Sequence, residues 1–135
     1  MAVGSFQLGL SAALGGTGLV VTVSCLKTIG WDLKSRTEDL EFSTRIILGG
    51  SRVHWNNEAI IFDEKPLTFW ASRRQRTRWM QGHYWVLMKY GPQLLLQWLK
   101  TWKIQYLDWL FYLLSAVTTV VGLSLIHISE PTRPY

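Results

Sequence analysis

The stretch Phe69 to Lys89, FWASRRQRTRWMQGHYWVLMK, carries five cations and no acid. Arg73, Arg74, Arg76, Arg78 and Lys89 alternate with Phe69, Trp70, Trp79, Tyr84 and Trp85. It has no proline and one glycine, Gly82, so a continuous helix is expected. Residues three and four apart share a helix face. Gln75, Arg78, Trp79 and Gly82 then form one ridge: an amide, a permanent cation, a flat indole and a gap. A guanidinium suits a diphosphate because its fork bonds two oxygens and never deprotonates. An indole suits a sugar face, being apolar with one polar edge. A basic amphipathic helix lying on anionic lipid is the competing reading.

A second group is acidic. Ser35-Arg36-Thr37-Glu38-Asp39 opens a helix expected from about Glu38 to Leu48 and stopped by Gly49-Gly50. Ser35 with Glu38 has capping-box spacing, and Thr37 is a rival cap. Glu38, Asp39 and Glu41 crowd the first turn, where the helix dipole favours acids. The functional alternative is that one carboxylate accepts a proton from a hydroxyl, and Asp39 has the short side chain to do so rigidly. A third group is the glycine loop Leu14-Gly15-Gly16-Thr17-Gly18, which lets backbone approach a partner closely.

The surrounding elements follow from pattern. The β-branched run Leu19 to Val23 reads as a buried strand, then Ser24 caps a short helix to Ile29, closed by Gly30. Arg52 to Trp55 and Ala59 to Phe62 read as strands of a hairpin around Asn56-Asn57. His54 reads as a strand residue with no metal-ligand spacing around it. Pro66 clears the way for a helix from about Thr68. Tyr90-Gly91-Pro92 reads as a break, followed by an interfacial helix with Trp98 and Trp102 as anchors. Trp109 to Val121 is apolar and uncharged, shorter than the ~20 residues a spanning helix needs. It reads as a truncated transmembrane helix, with the Lys89, Lys100 and Lys103 side in the cytoplasm.

The chain has 135 residues, 14 Lys and Arg against 9 Asp and Glu, enough for one small domain. Basicity is local: seven acids and four bases lie between Trp31 and Glu64, six cations and no acid between Lys65 and Tyr90. The apolar segment that follows favours a membrane over nucleic acid as partner. The single cysteine, Cys25, excludes an internal disulfide and fits a small buried residue. Met1 to Leu14 has no basic n-region, so no secretory signal is expected. Leu123 to Arg133, LSLIHISEPTR, resembles the in-frame translation of a transposase-type sequencing adapter and is set aside from fold reasoning.

Gly16-Thr17-Gly18, Gly30-Trp31-Asp32, Thr37-Glu38-Asp39 and Gln75-Arg76-Thr77-Arg78-Trp79, in that order and spacing, resemble the second half of the catalytic domain of membrane-bound processive glycosyltransferases of family 2. Cellulose, chitin, hyaluronan and poly-β-1,6-N-acetylglucosamine synthases form that group. The resemblance covers roughly Gly15 to Val121. It implies an α/β class, the C-terminal part of a GT-A-like nucleotide-sugar transferase domain, followed by interfacial and transmembrane helices. The divisions are 1–66 for the partial catalytic domain, 67–104 for amphipathic interface helices, 105–122 for the truncated membrane helix and 123–135 for the adapter-like tail.

The resemblance further implies inverting transfer from a nucleotide-diphosphate sugar, a UDP-sugar such as UDP-N-acetylglucosamine, to a growing β-linked polysaccharide. Asp39 would be the general base with Glu38 beside it. Thr37, Gln75, Arg76, Arg78 and Trp79 would bind substrate, Arg78 neutralising the leaving diphosphate and Trp79 stacking on the acceptor. Gly16, Thr17 and Gly18 would line the acceptor end; this GGTG pattern lacks the cysteine of cellulose synthases, which favours an aminosugar polymer. The family's Mg or Mn sits on an Asp-x-Asp expected upstream, in a missing N-terminal half, so no metal is expected here and the fragment alone is expected to be inactive. The expected setting is a multi-pass protein of the cell membrane with its site on the cytoplasmic face, its partners being nucleotide sugar, glycan acceptor and lipid bilayer. A single-transfer enzyme loading a polyprenyl phosphate or lipid, and a non-catalytic membrane-binding module, are the alternatives.

Overall fold

A computed structural model describes residues 10–64 and 66–129, with side chains described up to residue 119. The N-terminal residues 1–9, Lys65 and the end of the adapter-like tail, 130–135, lie outside it. Among the described residues the helices are, in order, α1 (Val23–Ile29), α2 (Glu38–Leu48), α3 (Phe69–Thr101) and α4 (Ile104–Ser129).

Helix α2 runs as its caps demand and stops at Gly49. It is buried almost all round: Leu40, Glu41, Phe42, Ser43, Thr44, Ile46 and Ile47 are all inaccessible. One side, Leu40 and Ile47, meets Val86, Tyr90 and Leu94 of α3 and Tyr106, Trp109 and Leu113 of α4. The other side, Phe42 and Ile46, meets Ala12 and Val53. Each fully buried aliphatic side chain contributes about 1.5–3 kcal/mol, so α2 is the centre of the molecule. Its polar groups are matched: the Trp109 indole donates to Thr44 Oγ1 at 2.9 Å, and Thr44 Oγ1 donates to the Leu40 carbonyl at 2.8 Å.

Helix α3 differs from expectation. No break occurs at Gly91-Pro92; Pro92 lies inside one helix of 33 residues. An interior proline costs ~3 kcal/mol. Burial of Tyr90, Gly91 and Leu94 on either side of it offsets that cost. The chain turns instead at Trp102, which takes a left-handed conformation at φ 55° and donates its amide to the Trp98 carbonyl at 2.7 Å. The expected pair of anchors does meet, Trp98 and Trp102 having ring centres 5.6 Å apart. Helix α4 then packs back along α3, Leu110 beside Gly91 and Tyr112 beside His83. Among the described residues no helix is long and apolar enough to cross a membrane.

The strands expected at 19–23, 52–55 and 59–62 are not formed; the described residues contain helices and loops only. Val23 already belongs to α1, whose cap is Thr22 and not Ser24: Thr22 Oγ1 accepts from the Cys25 amide at 3.3 Å. Val20 is 97 % exposed and Phe62 95 %. A strand is stabilised by a partner's ladder and a covered face, and here these apolar residues have neither. The nearest approach to a ladder is one backbone bond, Ala12 N–H to the Val53 carbonyl at 3.0 Å.

Candidate active site

Three contacts bring the acidic turn to the basic helix. A methyl placed on Gly82 would collide with Thr37 Oγ1 and stand 2.6 Å from its Cγ2, so the bare backbone of α3 is the seat of Thr37. Ser35 Oγ donates to the Gly82 carbonyl at 3.5 Å, and the Arg36 guanidinium donates to Gln81. Thr37 is buried and holds the cap position of α2 without a side-chain cap bond; its amide is met by Ser35 Oγ at 3.1 Å. With 3.6 residues per turn, Gln75, Arg78 and Trp79 fall within about 60° of Gly82 around the helix and one or two turns before it. The first turn of α2 therefore abuts the ridge. Arg78 and Trp79 stay exposed and Gln75 is half-buried.

Replacing Gly82 by Ala improves helix propensity by ~1 kcal/mol yet is expected to destabilise the fold by a net ~1–3 kcal/mol, the cost of overpacking. A denaturant titration of the variant reads this directly. An unchanged or raised midpoint would mean that Thr37 does not seat there.

The glycine loop reaches the same place from the other side. The Leu14 amide donates to Ser43 Oγ at 3.1 Å, and Val53 N–H donates to Ser11 Oγ at 3.0 Å. These bonds run residues 11–14 beside α2 and deliver Gly16 onto Asp39. Gly16 has φ 75°, and a Cβ there would lie 3.2 Å from Asp39 Oδ2. Only glycine satisfies both the left-handed backbone and the close approach. Asp39 is half-buried; its Oδ1 accepts from the Leu40 amide at 2.8 Å, leaving Oδ2 toward the loop. Tyr112 of α4 lies within electrostatic reach of Asp39. Glu38 is exposed at the first position of α2, and Thr17 and Gly18 are exposed in the loop.

One motif residue goes elsewhere. Arg76 lines a groove of about 660 Å³ on the far face of α3, while Gln75, Arg78 and Trp79 do not. Its position in the ridge motif gave no hint of this; the helical rotation does, since Arg76 lies about 100° around the helix from Gln75 and about 120° from Gly82.

The structure also gives a role to a residue that the sequence left to the helix dipole. Glu41 is fully buried and accepts from five groups: the Lys34 amide at 2.8 Å, the Ser35 amide at 2.7 Å, Tyr90 Oη at 2.7 Å, Arg45 at 3.0 Å and Lys89 Nζ at 3.3 Å. Burial pushes its carboxyl up, but the bonds from Tyr90, the Ser35 and Lys34 amides and Arg45 outweigh it and hold the pKa down at about 2. Arg45 also grips Asp32 at 2.6 Å, and that contact holds the Asp32 carboxyl below its ordinary value. Lys89 is held above its ordinary value by its Tyr90 contact first, then by Glu41. The i, i+4 pair Glu41–Arg45 was the available sequence signal.

Among the described residues no three His, Cys, Asp or Glu side chains group as a metal ion needs.

An acid at a helix start, a glycine loop against it and, through the Thr37–Gly82 contact, a helix bearing the cation–indole ridge are thus brought together. The chain belongs to glycosyl transferase family group 2, whose model matches residues 2–133, the tail segment included. It is 32 % identical to a probable glycosyltransferase, YdaM, of Bacillus subtilis (strain 168) over 83 residues, 61 % of this chain and 20 % of the relative. It is 27 % identical over 115 residues to a probable glucomannan 4-beta-mannosyltransferase 14 of Arabidopsis thaliana, 84 % of this chain and 22 % of that protein. The chain thus spans about a fifth of the length of these curated relatives. No solved structure matches it.

Proposed function

We propose that this chain is the acceptor-side part of an inverting glycosyltransferase that extends a β-linked polysaccharide at a membrane, the sugar coming from a nucleotide-diphosphate donor such as a UDP-sugar. The observation that carries this reading is the seating of Thr37 on Gly82, which joins the start of α2 to the Gln75–Arg78–Trp79 ridge. In the reaction an acceptor hydroxyl oxygen attacks the anomeric carbon as the bond from that carbon to the diphosphate oxygen breaks. The hydroxyl proton passes to the Asp39 carboxylate, and the bonding pair leaves with the diphosphate. A base must lie within hydrogen-bond reach of the hydroxyl. Arg78 meets the charge developing on the leaving group, where a fixed cation contributes most. Trp79 offers a ring face to the acceptor sugar. The family membership and the β-transferase name of the Arabidopsis relative support a β product. The unpaired apolar residues at 19–23 and 59–62 fit strands completed by the rest of a GT-A-like α/β domain.

The test uses the whole enzyme in native membranes with radiolabelled nucleotide sugars, reading product length on a sizing gel. Labelled polymer of graded length is expected. A product of one sugar on a lipid would select the single-transfer reading, and no incorporation from any donor would overturn both.

A further inference from the structure

We propose that the groove between the N-terminal half of α3 and α4 holds an anionic phospholipid, its phosphate between Arg73 and Arg76 and an acyl chain along the trough. The groove encloses about 660 Å³ and its apolar walls include Phe69, Met80, Tyr84 and Val117. That volume suits part of an alkyl chain, and ligand sites of this size are ordinary. Arg73 and Arg76 line the same groove and are three apart, hence neighbours on the helix surface. Arg73 is steadied over the Trp70 ring at 5.4 Å.

Charge decides the occupant. From Pro66 to Leu107 the chain has no acidic residue, and no acid lines the groove. An apolar protein helix laid into this trough would cover two guanidiniums and offer them no anion, which costs several kcal/mol. A phospholipid brings the alkyl chain and the anion in one molecule. Phe69 is 74 % exposed and Tyr84 55 %; aromatic residues of this kind favour the headgroup level of a bilayer. Neither Asp39 nor the Gln75–Arg78–Trp79 ridge takes part, so the inference stands apart from the transfer chemistry.

The experiment is native mass spectrometry of the full chain released from detergent micelles doped equally with phosphatidylglycerol and phosphatidylcholine. Retention of phosphatidylglycerol at about tenfold or more over phosphatidylcholine is expected, since two cations act together on one anionic headgroup. Arg73→Glu with Arg76→Glu should reduce retention to the phosphatidylcholine level. Arg74→Glu, on the same helix but outside the groove, should leave it within about twofold. Thr77→Trp, which fills the trough without changing charge, should lower it several-fold, with helix content checked by circular dichroism. Equal retention of the two lipids, or an equal loss in Arg74→Glu, would overturn the proposal in favour of unspecific charge attraction. Displacement of the lipid by inorganic phosphate, or full retention in Thr77→Trp, would overturn it by removing the chain from the site. Retention of neither lipid would overturn it.

Discussion

Asp39→Asn in the whole enzyme is expected to lower kcat for sugar transfer by about 10²–10⁴-fold, the contribution of a positioned general base. The amide has the same shape and retains an oxygen for the Leu40 amide, now 2.8 Å from Oδ1. The Gly16 contact involves Oδ2 alone, so the loop should stay in place. The charge lost at the helix start costs only ~0.3–1 kcal/mol. Stability and KM for the donor should therefore change little while turnover falls. Glu38→Gln is the internal comparison: Glu38 is exposed at the helix start, and its loss should leave kcat within a few-fold. Normal turnover in Asp39→Asn would remove the base assignment.

Glu41 carries the largest expected effect on stability. Five donors converge on a carboxylate without solvent access. Removing one partner of a buried charge pair costs about 3–5 kcal/mol because the other charge is stranded. Glu41→Ala removes the acceptor shared by Tyr90, Arg45 and Lys89 and frees the turn at Lys34 and Ser35 that leads to Thr37, although Arg45 keeps Asp32. Loss of the folded state, seen as a collapsed denaturant midpoint, is the expected outcome. The pH dependence follows from the sign of the shift. The folded carboxyl titrates at about 2 against an ordinary 4.5, so the unfolded chain binds the proton more readily. The stabilisation is fully present above about pH 4.5 and is lost as pH falls toward 2, ~3 kcal/mol in all. Glu41→Gln should flatten stability in that window. An acid limb identical to that of the parent would show that Glu41 is not the linked group.

The end of α2 and the start of α3 were legible because their signals are local: Gly49 after an apolar run and Thr68 before a cationic, proline-free one. The contact of Thr37 with Gly82 was not legible from any local signal, since it joins residues far apart along the chain. Three features were hidden for physical reasons. Pro92 reads as a stop in isolation, but burial of Tyr90 and Leu94 outweighs the missing hydrogen bond. Residues 19–23, 52–55 and 59–62 read as strands from their side chains, yet a strand depends on its neighbours, and the described residues supply no ladder. Glu41 looked like one more acid at a helix start because what distinguishes it, five donors from two helices and a turn, is tertiary.

The most direct test of the division of labour is a titration of the whole enzyme, wild type, Asp39→Asn and Arg78→Ala, with the nucleoside diphosphate of the donor it accepts. If Asp39 serves the acceptor and Arg78 the leaving group, Asp39→Asn binds the diphosphate like wild type. Arg78→Ala then binds it at least about tenfold more weakly, because alanine offers the diphosphate no charge-assisted hydrogen bond. Unchanged affinity in Arg78→Ala, with weakened affinity in Asp39→Asn, would contradict the account.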